Sequence, residues 1–391
     1  MPTKYVIGGS SVVIFLLSTF FSYRFFVNAS SNGGIIAGSG TSKKVVQSLT
    51  IADSDADSKE PRTEACPLNG GLYSKTQMQK WEKRRPLGVM IENHTEARPQ
   101  SGLSSADVVY EAVAEGGITR FLSVYYCEDA KFVGPVRSAR MYFLQLLEGY
   151  GNNPLYAHVG GANTPGDADA LGTIEDLGWA GYNDLNQFSV PFPYFWRDYD
   201  RLPDRATEHT MYSETAKLWD FASKKRELTN VDAKGIAWNA NFTPWTFKDD
   251  AINAERGTVT DVSFGFWDAS ISSYGVKWHY DKTSNSYKRE NGGAPHVDKN
   301  TNKAIEVKNV IVVFAKESPA NDGYEGGHIL YKVVGSGDGL LFQDGTSQKI
   351  SWSKSKATSM MTFSDAAGKD VKLTRGKLFV EILPIGNKVT Y

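Results

Sequence analysis

The chain has 391 residues, 41% of them hydrophobic and 12% aromatic, which is enough to fill one large core or two of ordinary size. Its 43 basic and 44 acidic residues nearly balance, so the whole molecule has no field that would attract nucleic acid or an anionic membrane surface. The composition therefore indicates a folded body with no nucleic-acid partner. Any recognition of anions must be local.

The first apolar segment, residues 5–23, carries no charge between Lys4 and Arg24. A helix of this length, at about 1.5 Å per residue, approaches the ~30 Å thickness of a bilayer core. We predict that residues 1–28 form one transmembrane anchor in the cytoplasmic membrane. The alternative is a cleavable signal peptide, because residues 27–29 (Val-Asn-Ala) resemble a small-residue cleavage site. Both place the body on the extracytoplasmic side, and cleavage would make the protein secreted.

Residues 29–63 are rich in Ser, Gly, Ala, Asp and Lys. Such a stretch buries too little apolar surface to offset its conformational entropy, so we predict a disordered linker. The folded body is predicted to follow as two domains, residues 64–240 and 260–391.

The first of these domains alternates strand and helix patterns. Apolar or β-branched runs predict strands at residues 87–91, 119–127 and 155–159, and residues 106–113 fit a strand or a short helix. Helical spacing predicts helices at 138–148, with Ser138 as its N-cap, and at 167–177 and 213–227. This alternation is typical of α/β layers.

The second domain is smaller and its pattern is mainly β. Residues 276–280 alternate, residues 305–314 are apolar and β-branched, and Gly-rich turns follow at 335–339 and 343–345. We therefore predict an α/β or α+β fold, with an N-terminal α/β layered domain followed by a β-rich C-terminal domain.

Two cysteines are present, Cys66 and Cys127. An exported chain meets a non-reducing environment, in which the pair could form a disulfide that ties the start of the body to a strand. The alternative is two unpaired residues, with Cys127 acting as a small core hydrophobe.

The motif Arg137-Ser138-Ala139-Arg140 follows a Gly-Pro turn at the start of a predicted helix. Two guanidiniums one helical turn apart, beside free backbone N–H groups, would bind phosphate or carboxylate. Arg98 and Arg120 could converge on the same ligand. The alternative is a structural network of ion pairs between these arginines and three glutamates, Glu92, Glu111 and Glu115.

Those three carboxylates also suggest a hydrolase in which one acid protonates a leaving group and another acts as base or nucleophile. His158, at the end of a predicted strand, is a further catalytic candidate, although a core histidine with satisfied hydrogen bonds fits equally well. The sequence leaves open whether the protein is an enzyme, and the first hypothesis is that it is not.

No cofactor or metal site is predicted. The spacing His296-x-Asp298 lacks further ligands, and no phosphate-binding loop, dinucleotide fingerprint or Gly-x-Ser-x-Gly elbow is present.

Several motifs of the body closely resemble the YerB-like lipoprotein family, whose two domains are of unknown function. The matching stretches are Pro86–Asn93, Ala97–Leu103, Glu115–Phe121, Gly134–Arg140, Cys66–Gly70, Val276–Asp281, Pro295–Asp298, Asn309–Val312 and Gly376–Pro384. The resemblance covers residues 64–391 and implies an extracytoplasmic bacterial protein with two domains. Unlike many relatives, this chain has no cysteine near the end of its apolar segment, so a protein anchor is expected instead of an acyl anchor.

A second resemblance concerns only the order of elements. A strand beginning Thr119-Arg120, an arginine pair after Gly134-Pro135, and the stretch Tyr156–Gly161 are similar in outline to LytR-CpsA-Psr envelope phosphotransferases, which hold polyprenyl pyrophosphate with arginines. The acidic metal-binding positions of those enzymes have no match in this chain.

Three hypotheses follow. In the first, the protein binds an anionic or glycan component of the cell envelope through Arg98, Arg120, Arg137, Ser138 and Arg140. In the second, it is a cell-wall enzyme, either a glycan hydrolase or a phosphotransferase. In the third, it is a scaffold for other envelope proteins, which a broad exposed apolar patch on the second domain would favour.

Overall fold

The computed structural model describes residues 60–391 of the chain. The predicted anchor, residues 1–28, and nearly all of the predicted linker, residues 29–63, lie outside the described residues. From residue 60 to the end, no helix has both the length and the apolar character needed to cross a bilayer.

The first part of this body contains ten strands and four α-helices. In chain order they are β1 (Arg62–Ala65), β2 (Leu72–Ser74), α1 (Lys75–Trp81), β3 (Leu87–Glu92), β4 (Val108–Glu115), β5 (Ile118–Tyr125), α2 (Met141–Leu147), β6 (Leu155–His158), α3 (Ala170–Asp176), β7 (Asp184–Asn186), β8 (Phe195–Arg197), β9 (Met211–Ser213), α4 (Thr215–Arg226) and β10 (Phe247–Lys248). The predicted strands and the helices at 167–177 and 213–227 are confirmed within a few residues, and residues 106–113 belong to a strand.

The second part is mainly strand. Its elements are β11 (Asp261–Phe264), α5 (Ile271–Tyr274), β12 (Val276–Asp281), β13 (Ser286–Asn291), β14 (Ala294–Pro295), β15 (Val297–Asp298), β16 (Lys303–Ala304), β17 (Glu306–Val307), β18 (Asn309–Ala315), β19 (Glu317–Pro319), β20 (Ile329–Tyr331), β21 (Gly335–Gln343), β22 (Thr346–Lys354), β23 (Thr362–Ser364), β24 (Leu373–Thr374) and β25 (Leu378–Pro384). Most of these strands are short and joined by turns, as the Gly-rich pattern predicted.

Ten strands from both parts form one sheet, in the order β23-β22-β21-β18-β25-β4-β5-β3-β6-β7. The two parts meet at its centre, where β25 runs parallel to β4 from the pair Leu378–Val108 to the pair Glu381–Glu111. The central strands are buried on both faces, which explains their continuous apolar, β-branched sequences. The two predicted domains therefore share a single sheet.

The layers follow from the alternation of side chains along the central strands. On one face, helix α2 packs so closely that an added Cβ at Gly88 would lie 2.7 Å from Leu147. On the other face lies a small sheet of β11, β12, β13, β14 and β17. Its Trp278 ring contacts Phe379 of β25 at a centroid distance of 5.1 Å and is fully buried.

Helix α2 begins later than predicted. The prediction that Ser138 caps it is wrong, because Arg140 is the N-cap residue and has extended backbone angles. Residues 136 and 139 form bridges with Ile91 and Gly161, which hold the stretch before the helix in an extended conformation.

Cys66 and Cys127 are joined by a disulfide. It ties the turn before β2 to the end of β5, next to the buried carboxyl of Asp107. Asp107 accepts hydrogen bonds from the backbone N–H of Tyr126 at 2.6 Å and from that of Cys127 at 3.0 Å. Burial raises the pKa of Asp107 to about 7.

A fully buried cluster of polar side chains lies between the large sheet and the small sheet. Arg289 of β13 pairs with Glu111 of β4 through Nη2, and its Nη1 donates to His296 Nδ1 at 2.6 Å. Glu381 of β25 accepts from the indole of Trp278 at 3.0 Å. Burial, reinforced by the neighbouring Glu111 carboxylate, raises the pKa of Glu381 well above its ordinary value. Arg289 thus links strands from both parts of the chain.

The substitution Arg289→Ala tests this link. It leaves Glu111 buried without its partner, so we expect a loss of about 3–5 kcal/mol in the free energy of unfolding. The exposed ion pair of Lys224 with Asp220 provides the control, because Lys224→Ala removes a fully solvated pair and should change the free energy of unfolding far less. Urea titrations of both variants measure the difference. Equal, small losses would contradict the role given to Arg289.

Candidate functional site

The parallel strands β3, β4, β6 and β7 end at one edge of the large sheet. Their last residues are Glu92, Glu115, His158 and Asn186. Open α/β sheets bind ligands outside the carboxyl ends of their strands, which makes this carboxyl edge a candidate ligand site. Arg120 belongs to the same edge, because it lies opposite Glu92 in the antiparallel pair of β3 and β5.

The arginine motif reaches this edge because its backbone runs between two strand ends. The N–H of Arg137 donates to Met90 O at 2.9 Å, and Arg137 O accepts from the N–H of Val159 at 3.0 Å. The N–H of Ala139 donates to Gly160 O at 3.0 Å. The N–H groups of Arg137 and Ala139 are therefore already bonded and are not free to bind an anion.

Glu92 holds the side chain of Arg137 in one orientation. One carboxylate oxygen of Glu92 accepts from Arg137 Nε at 3.0 Å, and the other accepts from His209 Nδ1 at 2.9 Å. The His209 ring stacks on His94 with centroids 4.8 Å apart and planes inclined by 7°. Glu92 is buried, whereas the Arg137 side chain is 29% exposed. Neither Nη1 nor Nη2 of Arg137 has a hydrogen-bond partner within residues 60–391.

Arg120 and Arg140 share one carboxylate. Arg120 Nη2 donates to Glu115 Oε1 at 2.8 Å, and Arg140 Nη2 pairs with Glu115 Oε2. Burial alone would raise the pKa of Glu115, but the two guanidiniums outweigh burial and lower it to about 2. Arg120 also donates to Ser138 O at 2.9 Å, and this hydrogen bond holds the backbone of the arginine motif in place. Both guanidiniums are buried and engaged.

His158 is fully buried and both its ring nitrogens are engaged. Nε2 lies 2.6 Å from Asp184 Oδ1, and Nδ1 lies 2.7 Å from Gly160 O. No ring nitrogen remains for a substrate, so the geometry matches a histidine that positions the loop after β6.

Arg98 and Glu111 are bonded to residues of the second part of the chain, Ser273 and Arg289 respectively. Arg98 donates from Nε to Asn93 Oδ1 at 3.0 Å and from Nη1 to Ser273 O at 2.8 Å. Burial lowers the pKa of Arg98 to about 10. The structure therefore brings Arg137, Ser138, Arg120 and Arg140 together, whereas Arg98 is bonded to Asn93, the residue after Glu92, and to Ser273.

An exposed aromatic ring borders the edge. Phe188 is 77% exposed, and a Cβ added to Gly160 would lie 3.3 Å from its ring. Gly160 O accepts from the N–H of Ala139, so the ring is close to the arginine motif.

Sequence reasoning missed three participants in this site: His94, His209 as a partner of Glu92, and Asp184. His209 is more than a hundred residues from Glu92 in sequence, and no spacing rule connects them. Asp184 is found only from the parallel pairing of β6 with β7.

The described residues include one close group of side chains of metal-ligating type, Cys66, Asp107 and Cys127. Its two sulfurs are bonded to each other and so provide no thiolate ligand.

Comparison with known proteins gives matches along most of the body. Residues 71–229 match the family described as "Protein of unknown function (DUF3048) N-terminal domain", and residues 267–380 match the corresponding C-terminal domain. A relative from Bacillus subtilis (strain 168), named "Putative lipoprotein YerB", is 32% identical over 308 residues, which cover 78% of this chain and 83% of the relative. The chain belongs to the DUF3048 family.

The crystal structure of YerB from Bacillus subtilis agrees with this assignment. It superposes with a TM-score of 0.66 at 28% identity, covering 84% of this chain and 100% of the solved chain. The two-domain, YerB-like prediction is thereby confirmed. The residues that match the N-terminal family domain include the whole carboxyl-edge site. Those that match the C-terminal family domain include Arg289 of the buried cluster.

The lowered pKa of Glu115 predicts a specific response to acid. Because its folded pKa lies below the ordinary 4.5, the ion pairs stabilise the protein above pH 4.5 and lose this contribution as the pH falls to about 2. We expect Glu115→Gln to lower the free energy of unfolding by up to about 3 kcal/mol at pH 7. The difference from wild type should shrink between pH 4.5 and 2.

Thermal melts across this pH range measure the effect. Glu96→Gln is the matched control, because the pair of Glu96 with Arg205 is exposed and should contribute less than about 1 kcal/mol. A difference between wild type and Glu115→Gln that stays constant with pH would contradict the assignment.

Proposed function

We propose that the protein is held at the extracytoplasmic face of the membrane and binds a phosphate- or carboxylate-bearing component of the cell envelope at the carboxyl edge of its sheet. The location is supported by the relative named as a lipoprotein and by the apolar segment at residues 5–23. The binding role rests on the geometry of the edge.

The observation that carries the proposal is the orientation of Arg137. Glu92 occupies Nε of the guanidinium and leaves both terminal nitrogens without a protein partner in the described body. Because Glu92 is itself held by His209, the side chain is already ordered before a ligand arrives. A planar pair of N–H donors matches two oxygens of a phosphate or carboxylate.

Positive side chains gather around Arg137. Three arginines, Arg120, Arg137 and Arg140, pair with two carboxylates, Glu92 and Glu115. The exposed Glu208 carboxylate also interacts with Arg137, and it interacts with Arg197 as well. Arg120 and Arg140 both pair with Glu115. They position the arginine motif and add positive charge beside Arg137. Partial burial raises the strength of this charge relative to a fully solvated one.

Two neighbours extend the recognition surface. The Ser138 hydroxyl makes no hydrogen bond within residues 60–391, so it can donate to a ligand oxygen next to Arg137. The exposed Phe188 ring offers a flat apolar surface for a sugar ring or a lipid chain attached to the anionic group.

The enzymatic alternative receives less support. Paired-carboxylate catalysis needs two carboxyl groups facing one cleft, whereas Glu92, Glu111 and Glu115 lie in three separate ion pairs. His158 has no free nitrogen to act as acid or base. The geometry therefore favours binding over hydrolysis.

The substitution Arg137→Ala tests the proposal. We expect it to weaken binding of polyprenyl phosphate or of carboxylate-bearing muropeptides about tenfold to a hundredfold, because a charge-assisted bidentate contact is lost. Arg137→Lys keeps the charge but loses the planar fork, so it should weaken binding less. Native mass spectrometry and calorimetric titration of the full chain against each probe measure the affinities.

Arg375→Ala is the control, because Arg375 precedes β25 and so lies at the opposite edge of the sheet, in an exposed pair with Asp249. Its binding should equal that of wild type, and circular dichroism should show all three variants folded. If Arg137→Ala bound both probes as wild type does, or if wild type bound neither, the proposal would be wrong.

A further inference from the structure

A cavity lies apart from the carboxyl-edge site. Its volume is about 700 Å³, and three parts of the chain form its wall: residues 148–179, residues 241–243 and residues 353–362. Asn152 and Asn153 of this wall precede β6, whereas the carboxyl-edge site lies beyond its other end. We name it the Glu148 cavity.

The wall combines many uncharged polar groups with a few apolar ones. The amides belong to Asn152, Asn153 and Asn241, the hydroxyls to Thr243, Ser353, Ser355, Thr358, Ser359 and Thr362, and the apolar side chains to Leu177, Trp179 and Met360. Amides and hydroxyls both donate and accept hydrogen bonds, so this set pairs with ligand hydroxyl groups in either direction.

Glu148 has unused hydrogen-bonding capacity. It is the C-cap residue of α2 and only 7% exposed, and its carboxyl group has no hydrogen bond or ion pair within residues 60–391. Burial raises its pKa, and the nearby Lys354 ammonium only partly offsets this. The Glu148 oxygens are open to the cavity and are not enclosed by protein atoms, so they are available to hydrogen-bond a ligand there.

The indole of Trp179 adds a hydrogen-bond donor to the wall. Trp179 is 7% exposed and lines the cavity, and its N–H makes no hydrogen bond within the described residues. An indole combines a flat apolar surface with one N–H donor, a combination that suits a ring with apolar faces and hydroxyl edges.

The loop between β22 and β23 shapes the cavity and is held firmly. The ammonium of Lys354 donates to Ala357 O at 2.7 Å and also to Ser359 O. A Cβ at Gly149 would lie 2.6 Å from Ser359 O, so the loop packs directly against the end of α2. The cavity is therefore formed before any ligand binds.

We infer that the Glu148 cavity binds a saccharide, with the Glu148 carboxyl and the Trp179 indole N–H bonding to its hydroxyl groups. Amide and hydroxyl side chains dominate the wall, and its charged side chains are Glu148, which lies near the ammonium of Lys354, and the exposed Lys356. Hydroxyl groups are therefore the ligand groups that most of the wall can pair with. The role is binding, because glycoside hydrolysis uses two carboxyl groups and Glu148 is the only carboxyl side chain on the wall.

The test uses the full chain and neutral oligosaccharides of glucose and of N-acetylglucosamine. The first readout is the NMR signal of the Trp179 indole N–H, which should shift on titration with at least one of these probes. Glu148→Ala should weaken that binding about tenfold, as expected for a lost hydrogen bond to a carboxyl group. Glu148→Gln keeps the shape and should weaken it less.

Two tryptophan substitutions at exposed threonines separate the cavity from the rest of the surface. Thr358→Trp fills the cavity and should abolish binding, whereas Thr283→Trp, away from the wall, should leave it unchanged. Arg137→Ala should also leave it unchanged, which distinguishes this site from the proposed anion site. Absence of binding by wild type to every probe, or binding that survives both Glu148→Ala and Thr358→Trp, would overturn the inference.

Discussion

The ion pair between Arg289 and Glu111 is the contact on which the rest of the described structure depends. Both side chains are completely buried, and each would be costly to leave alone in the low-dielectric interior. Glu111 belongs to the first part of the chain and Arg289 to the second, while Glu381 of β25 lies beside both. Because β25 pairs directly with β4, the ion pair and the shared sheet reinforce each other.

The buried cluster also determines the position of the carboxyl-edge site. Asn93 donates to Glu111 Oε1 at 3.2 Å and to Thr119 Oγ1 at 2.7 Å, which fixes the end of β3. The preceding residue, Glu92, is the carboxylate that orients Arg137. The order of the site thus depends on contacts made between the two family domains, although all of its side chains come from the first.

The sequence predicted local elements better than long-range pairing. The strand at 119–127 and the helix at 213–227 could be predicted because a β-branched aromatic run and a helical period are local signals. The parallel pairing of β4 with β25 joins strands from opposite ends of the body, and no local pattern reports it. The same limit applies to the arginines: their types and order suggested an anion site, but only the fold shows that Glu115 occupies Arg120 and Arg140 and leaves Arg137 available.

Native-state hydrogen exchange of the full chain tests most directly the claim that the two family domains form one cooperative body. If they do, the amides of β4 and β25 exchange with the same free energy of opening, which is close to that of global unfolding. The amides of the small sheet then exchange with a similar free energy. If β18, β25 and the small sheet opened at a much lower free energy while β3, β4 and β5 stayed protected, the domains would unfold separately, and the role given to the Arg289–Glu111 pair would be contradicted.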